Sequence, residues 1–205
     1  MQLQDHGLHP LAFFVTIITG DKMRIIAGEF KGRHIRAVDG YNTRPTTDKI
    51  KENVFNIMGQ FFTGGRVLDL FAGSGNLGIE ALSRGMDHAT FIDVDFNAIK
   101  IIKENISNLK LQDRAEIYRN DAFKALNALA KKGAKFDLIL LDPPYGKIGI
   151  TELLAILIKK DLLNDGGLIM CEGRARMNAQ YDVSCLKEIR REVYKTVEIL
   201  ILQAR

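Results

Sequence analysis

Two short stretches of the chain carry residues whose types and spacing suit ligand chemistry. The first is Asp69-Leu70-Phe71-Ala72-Gly73-Ser74-Gly75-Asn76-Leu77-Gly78. Gly73, Gly75 and Gly78 satisfy G-x-G-x-x-G, in which glycines permit a tight turn and let a ligand approach the backbone. Asp93 stands 20 residues after Gly73, at the end of His88-Ala-Thr-Phe-Ile-Asp93. A carboxylate there can accept hydrogen bonds from ribose hydroxyls. The pattern suits an adenosine-type cofactor and leaves NAD and S-adenosylmethionine undivided. The second stretch is Asp142-Pro143-Pro144-Tyr145, which closes the apolar run Phe136–Leu141. Two successive prolines lack N–H groups and have fixed φ, so the turn is stiff and its carbonyls are available as acceptors. Asp142 and the Pro143 carbonyl could take the two hydrogens of an NH2 group on a planar base, and Tyr145 could stack on its face. A strand-ending turn with a packed tyrosine would use the same residues without a ligand.

The elements around these stretches must bring them together. Val67–Phe71 is apolar apart from Asp69, as expected of a strand covered on both faces. From Arg66 onward strands are expected near 66–71, 88–93, 115–119, 136–141 and 166–172. Helices are expected near 76–84, 95–108, 121–131 and 149–160. That alternation predicts an α/β fold, a mostly parallel sheet with helices on both faces. Ligands then bind at the carboxyl ends of its strands. Two β-rich runs, 186–193 and 196–202, predict a closing antiparallel hairpin. Upstream, Met23–Ala27 and His34–Val38 predict a small β-hairpin. A helix is expected over 48–60, capped by Thr46 or Thr47, with Ile50, Val54, Ile57 and Met58 facing the sheet. Asp95 and Asp121 suit N-caps.

Composition narrows the class. Hydrophobic residues make up 46% and charged residues 26% of the chain, ordinary for a globular domain. From Lys22 to Lys51 eight Lys or Arg face three acids, whereas the remainder is nearly neutral. A basic block beside a neutral domain points to a polyanion partner, a solvated basic face being the plain alternative. Two cysteines and four scattered histidines give neither a disulfide framework nor a metal site, and a cytoplasmic compartment is expected. The run Leu11–Ile18 is too short to span a bilayer. Residues 1–22 are expected to be an extension outside the core, with Met23 the natural start. One domain is expected over 23–205, made of a basic hairpin (23–40) and a catalytic core (41–205).

With Asp69–Gly75 and Asp142–Tyr145 together, the chain resembles the S-adenosylmethionine-dependent amino-methyltransferases. Two further stretches narrow the likeness, Met23-Arg-Ile-Ile-Ala-Gly-Glu-Phe-Lys-Gly-Arg33 and Arg44-Pro-Thr-Thr-Asp-Lys-Ile-Lys-Glu-Asn-Val-Phe-Asn56. With them the chain resembles the bacterial RsmD-like methyltransferases, which modify guanine N2 in 16S ribosomal RNA. The resemblance covers Met23 to the end and implies a Rossmann-like methyltransferase sheet with S-adenosylmethionine as cofactor. It implies cofactor contacts from Asp69, Phe71, Ala72, Gly73, Gly75, Asp93 and Asp121, the last near the adenine amino group. Asp142, Pro143, Pro144 and Tyr145 become the catalytic candidates. Arg24, Lys31, Arg33, Arg36 and Arg44 become candidates for contact with 16S RNA in an assembled or partly assembled small subunit. No membrane or metal is implied, and nothing calls for more than a monomer. The family usually has a glycine near the last turn, where this chain has Lys195.

Three rival readings share parts of the pattern. An NAD-dependent oxidoreductase leaves Asp142–Tyr145 unexplained. An adenine-N6 methyltransferase acting on DNA or RNA shares both motifs, although 205 residues leave little room for a duplex-reading region. A noncatalytic RNA-binding module leaves both motifs idle.

Overall fold

A computed structural model describes residues 23–38, 48–144, 146 and 148–205. The expectations for residues 1–22, the Thr46 or Thr47 cap, Arg44 and Tyr145 lie outside the described residues.

The chain begins with β1 (Met23–Arg24) and β2 (His34–Ile35), a two-stranded antiparallel pair, followed by α1 (Asp48–Met58). Then come β3 (Arg66–Asp69), α2 (Asn76–Ser83), β4 (His88–Asp93), α3 (Phe96–Leu109), β5 (Ala115–Arg119), α4 (Ala122–Lys131), β6 (Phe136–Leu141) and α5 (Ile150–Lys159). Three long strands finish the chain, β7 (Leu163–Arg174), β8 (Leu186–Tyr194) and β9 (Val197–Ala204). The large sheet runs β5-β4-β3-β6-β7-β9-β8, parallel from β5 to β7 and antiparallel through β9 and β8. Strand order reverses between β3 and β6, which makes their carboxyl ends the switch point where ligands bind in such sheets.

Each face of the sheet has its own core. One joins Val67, Leu140 and Met170 to the buried sides of α1, α2 and α3. The other joins Leu68, Ile139 and Cys171 to α4 and α5. Paired residues of neighbouring strands share a face, so the register Leu141↔Cys171 places the next two residues, Asp142 and Glu172, together.

Asp95 caps α3 by accepting the Asn97 N–H at 2.7 Å, and Asp121 caps α4 by accepting the Lys124 N–H at 3.1 Å. Each helix therefore starts one residue later than expected.

The N-terminal hairpin is shorter than the β-prone runs predict. Ile26 and Ala27 donate their N–H groups at 2.8 and 3.0 Å to the Glu80 carboxylate of α2, which ends the ladder after two residues. Glu80 also meets Lys51 at 3.1 Å and Arg84 at 2.8 Å, and all three side chains are at most 1% exposed. Lys51 faces inward with Val54, Phe55 and Met58, so the buried stripe of α1 is rotated from the expected one and Ile50 and Ile57 sit at its margin.

β7 starts earlier than expected, at Leu163, and is interrupted by a bulge. Its register with β6 jumps from Phe136↔Leu163 to Leu138↔Leu168. Lys195 adopts φ 48°, supplying by itself the left-handed turn that a glycine makes cheaply.

Candidate active site

The glycine loop leaves β3 and enters α2 at the switch point. Gly73 and Gly75 have φ of 54° and 81°, the left-handed region that glycine enters without strain. A Cβ at Gly73 would meet nothing within 4 Å, so that main chain faces open space. A Cβ at Gly75 would stand 3.2 Å from Ile79 and 3.4 Å from Phe91. At Gly78 it would come within 2.4 Å of the Phe91 ring, so the third glycine lets α2 lie on β4. The three glycines thus divide their work into ligand approach, turn and helix packing.

Carboxylates fix this loop from below and from the side. Asp69 is buried, and its Oδ2 accepts the Gly78 N–H at 2.9 Å. Burial pushes the Asp69 carboxyl up to about 7; the Gly78 N–H opposes that shift and the nearby Asp93 charge adds to it. Asp93 Oδ2 accepts the Gly73 N–H at 2.8 Å, while its Oδ1 accepts the Asp95 N–H at 2.8 Å. The carboxylate is only partly buried, and each oxygen keeps a lone pair that ribose hydroxyls could use. Asp69 and Asp93 therefore shape the loop as well as serving as the cofactor-side candidates of the sequence. Ala72 is buried and hydrogen-bonds through its N–H to Ile92 O at 3.0 Å. Phe71 packs against the α4–α5 core. Asp121 is exposed at the end of β5, on the same edge of the sheet as Asp93.

Two residues not singled out from the sequence, Asn105 and Lys51, brace the loop from the N-terminal side, and Glu80 of α2 anchors Lys51. Asn105 of α3 donates to Ser74 O at 2.9 Å and to Arg36 O at 3.0 Å, and accepts the Arg36 N–H at 2.8 Å. Lys51 donates to Asn76 Oδ1 at 2.7 Å and to Arg24 O at 2.8 Å. Burial pushes the Lys51 ammonium below the ordinary lysine range, a shift that Glu80 opposes. Glu80 was readable as an acid inside an apolar helix; Lys51 and Asn105 sit among polar residues and gave no comparable signal.

Across the switch point, Asp142, Pro143 and Pro144 follow β6. Asp142 is half-buried, Pro143 buried and Pro144 exposed. Burial holds the Asp142 carboxyl well above the usual carboxylate range, and the charges of Glu172 and Asp69 add to the shift. Pro143, Pro144 and Glu172 line a cavity of about 210 Å³ with Gly173 and Met177. Glu172, only 3% exposed, is a further residue not singled out earlier. Its signal was an acid ending the apolar run Leu168–Cys171.

The basic candidates of the N-terminal segment lie beside α1 and α3. Arg24 pairs with Asp48 at 2.6 Å and Arg36 with Glu104 at 2.8 Å, while Arg33 donates to Asn108 O at 2.7 Å. Lys31 is exposed. Among the described residues no group of three or more acidic, histidine or cysteine side chains is placed to hold a metal ion. Nor is any described helix long and apolar enough to cross a membrane.

The glycine loop and the Asp142–Pro144 turn thus meet at the carboxyl ends of β3 and β6, and the turn borders a cavity that Glu172, Arg174 and Arg176 also line. Comparison with known proteins agrees. The family model described as "Conserved hypothetical protein 95" matches residues 23–203. "Putative rRNA methyltransferase YlbH" of Bacillus subtilis is 46% identical over 183 residues, covering 89% of this chain and 100% of that protein. Ribosomal RNA small subunit methyltransferase D of Escherichia coli is 34% identical over 151 residues, covering 74% of each chain. The chain belongs to this RsmD family. As an RsmD-family protein it is a methyltransferase. The solved structure of yhhF from Escherichia coli superposes with a TM-score of 0.79 at 31% identity, over 90% of this chain and 98% of that one. The expected α/β methyltransferase sheet, closing hairpin and N-terminal hairpin are therefore all present.

Proposed function

We propose that this protein transfers a methyl group from S-adenosylmethionine to the exocyclic N2 amine of a guanine in 16S ribosomal RNA. The substrate would be an assembled or partly assembled small ribosomal subunit. The observation that carries this reading is the Asp142-Pro143-Pro144 turn, an acceptor-rich edge set beside the cofactor loop at the switch point. The Escherichia coli relative's name, with its small-subunit RNA substrate, supports the choice of RNA.

S-adenosylmethionine supplies a methyl group already activated by the positive sulfonium. The open main chain at Gly73, the Asp93 carboxylate and Asp121 are the groups that would hold it. The remaining task is alignment and exclusion of water. A guanine amine is a weak nucleophile because its lone pair is delocalised into the ring. Asp142 and the Pro143 carbonyl accept the amine hydrogens and favour a pyramidal nitrogen. Their negative ends stabilise the positive charge that develops there. Once the amine is methylated its surplus proton would pass to Asp142, whose raised affinity for protons suits it to that role. Tyr145 would stack on a base withdrawn from its surroundings. Arg24, Lys31, Arg33, Arg36 and Arg44 would meet RNA phosphates, Arg24 and Arg36 by exchanging their carboxylate partners for phosphate.

The test is to incubate the protein with labelled S-adenosylmethionine and unmodified small subunits, digest the RNA and identify the product by mass spectrometry. N2-methylguanosine at one position is expected. N6-methyladenosine would keep the chemistry and overturn the substrate.

A further inference from the structure

Glu172 is a buried acid at the end of an apolar run of β7. The four residues before it, Leu168–Cys171, are apolar, and the last two pair with Leu140 and Leu141. Glu172 follows Cys171 on β7 as Asp142 follows Leu141 at the end of β6, so the register sets the two acids side by side, and the Glu172 charge is felt at Asp142. Neighbouring strands lie about 4.8 Å apart, close enough for two carboxylates to converge on one base edge. Glu172 also lines the cavity of about 210 Å³ that Pro143 and Pro144 border.

The Watson–Crick edge of guanine offers adjacent donors, the N1–H and the N2 amine. Adenine offers an N1 lone pair beside its amine. A flipped base is read by hydrogen bonds to that edge. We infer that Glu172 accepts the N1–H of the target guanine while Asp142 and the Pro143 carbonyl hold its amine, so that Glu172 selects guanine against bases with an unprotonated N1. This rests on the guanine-N2 reading proposed above and adds the residue that enforces it. An unprotonated N1 would turn a lone pair toward the carboxylate, losing a hydrogen bond and adding repulsion. Sites built around a substrate donor reject analogues that lack it strongly.

The test uses 2-aminopurine, which keeps the 2-amino group but has no proton on N1. Small subunits are reconstituted with guanine or with 2-aminopurine at the position the wild type methylates. kcat/KM is measured for the wild type, Glu172→Gln and Glu172→Asp. The wild type is expected to prefer guanine by about 100-fold or more. Glu172→Gln, whose amide can donate to an unprotonated N1, should narrow that ratio by about 10-fold or more. Glu172→Asp, which keeps an acceptor, should retain more of the preference than Glu172→Gln. Binding of S-adenosylhomocysteine, measured by calorimetry, checks that each variant is folded. Equal use of both bases by the wild type overturns the inference and needs no variant. So does a Glu172→Gln enzyme slowed equally on both, the result expected of a merely structural residue. Absence of N2-methylguanosine with unsubstituted particles overturns the guanine-N2 reading itself, an outcome distinct from loss of selectivity alone.

Discussion

The two halves of the site hold their carboxylates by different means. On the cofactor side, Asp69, Asp93 and Asp121 each accept a main-chain N–H, from Gly78, from Gly73 and Asp95, and from Lys124. Those acids are part of the scaffold, and they hold the loop in the shape a ligand needs before it arrives. On the base side, Glu172 lines the cavity bordered by Pro143 and Pro144, and burial together with the Glu172 and Asp69 charges raises Asp142. The cost of ionising Asp142 there is one that a base carrying N–H donors would relieve. On the function proposed above, the difference would separate binding of the cofactor, which the fold pre-builds, from transfer, which would depend on groups whose state changes when substrate enters.

The comparison is broken most severely by removing the anchor beneath the cofactor half. Glu80→Ala strips the counter-ion from buried Lys51 and Arg84 and the acceptor from Ile26 and Ala27. A loss of about 3–5 kcal/mol is expected, read as a lower denaturant midpoint. Next comes Gly75→Val. A β-branched side chain at φ 81°, within 3.2 Å of Ile79, should abolish S-adenosylhomocysteine binding and cost about 1–3 kcal/mol of stability. Calorimetric titration and thermal melting check the two effects separately.

How much of this was legible follows from where the signals lie. The glycine loop, Asp93 and Asp142–Pro144 were readable because local rules fix them: glycine where φ is positive, an apolar run for a buried strand, proline for a stiff turn. The helix caps Asp95 and Asp121 were readable for the same reason. The N-terminal ladder was not, because Ile26 and Ala27 pair with a carboxylate 54 and 53 residues away. The inward face of α1 was misread because Lys51, a residue expected outside, is drawn in by Glu80. Glu172 and Asn105 act only through neighbours on other elements, which sequence spacing does not reveal. Lys195 shows the limit from the other direction, since the turn keeps its geometry without the residue that makes it easy.

That turn supplies a smaller prediction, which sharpens the comparison by lying outside both halves. Lys195→Gly should relieve a left-handed residue and raise stability by about 1 kcal/mol, with cofactor affinity and turnover unchanged. A further prediction concerns the pH dependence that Asp69 confers. The folded protein holds its proton up to about pH 7, whereas the unfolded chain releases it near the ordinary carboxylate value of 3.8. Between those values the folded state binds more protons, so this group's contribution to stability falls as pH rises and is constant above about 7. Asp69→Asn should flatten that part of the pH–stability curve measured by thermal melting, while the wild type retains the slope.

The most direct test of the division between the halves is Asp142→Ala, with S-adenosylhomocysteine affinity and single-turnover methyl transfer to small subunits measured on the same preparation. The account predicts affinity within a few-fold of wild type and a transfer rate lower by about 100- to 1,000-fold. Transfer at the wild-type rate would contradict the role given to Asp142, and cofactor affinity lost in step with transfer would contradict the separation of the two halves.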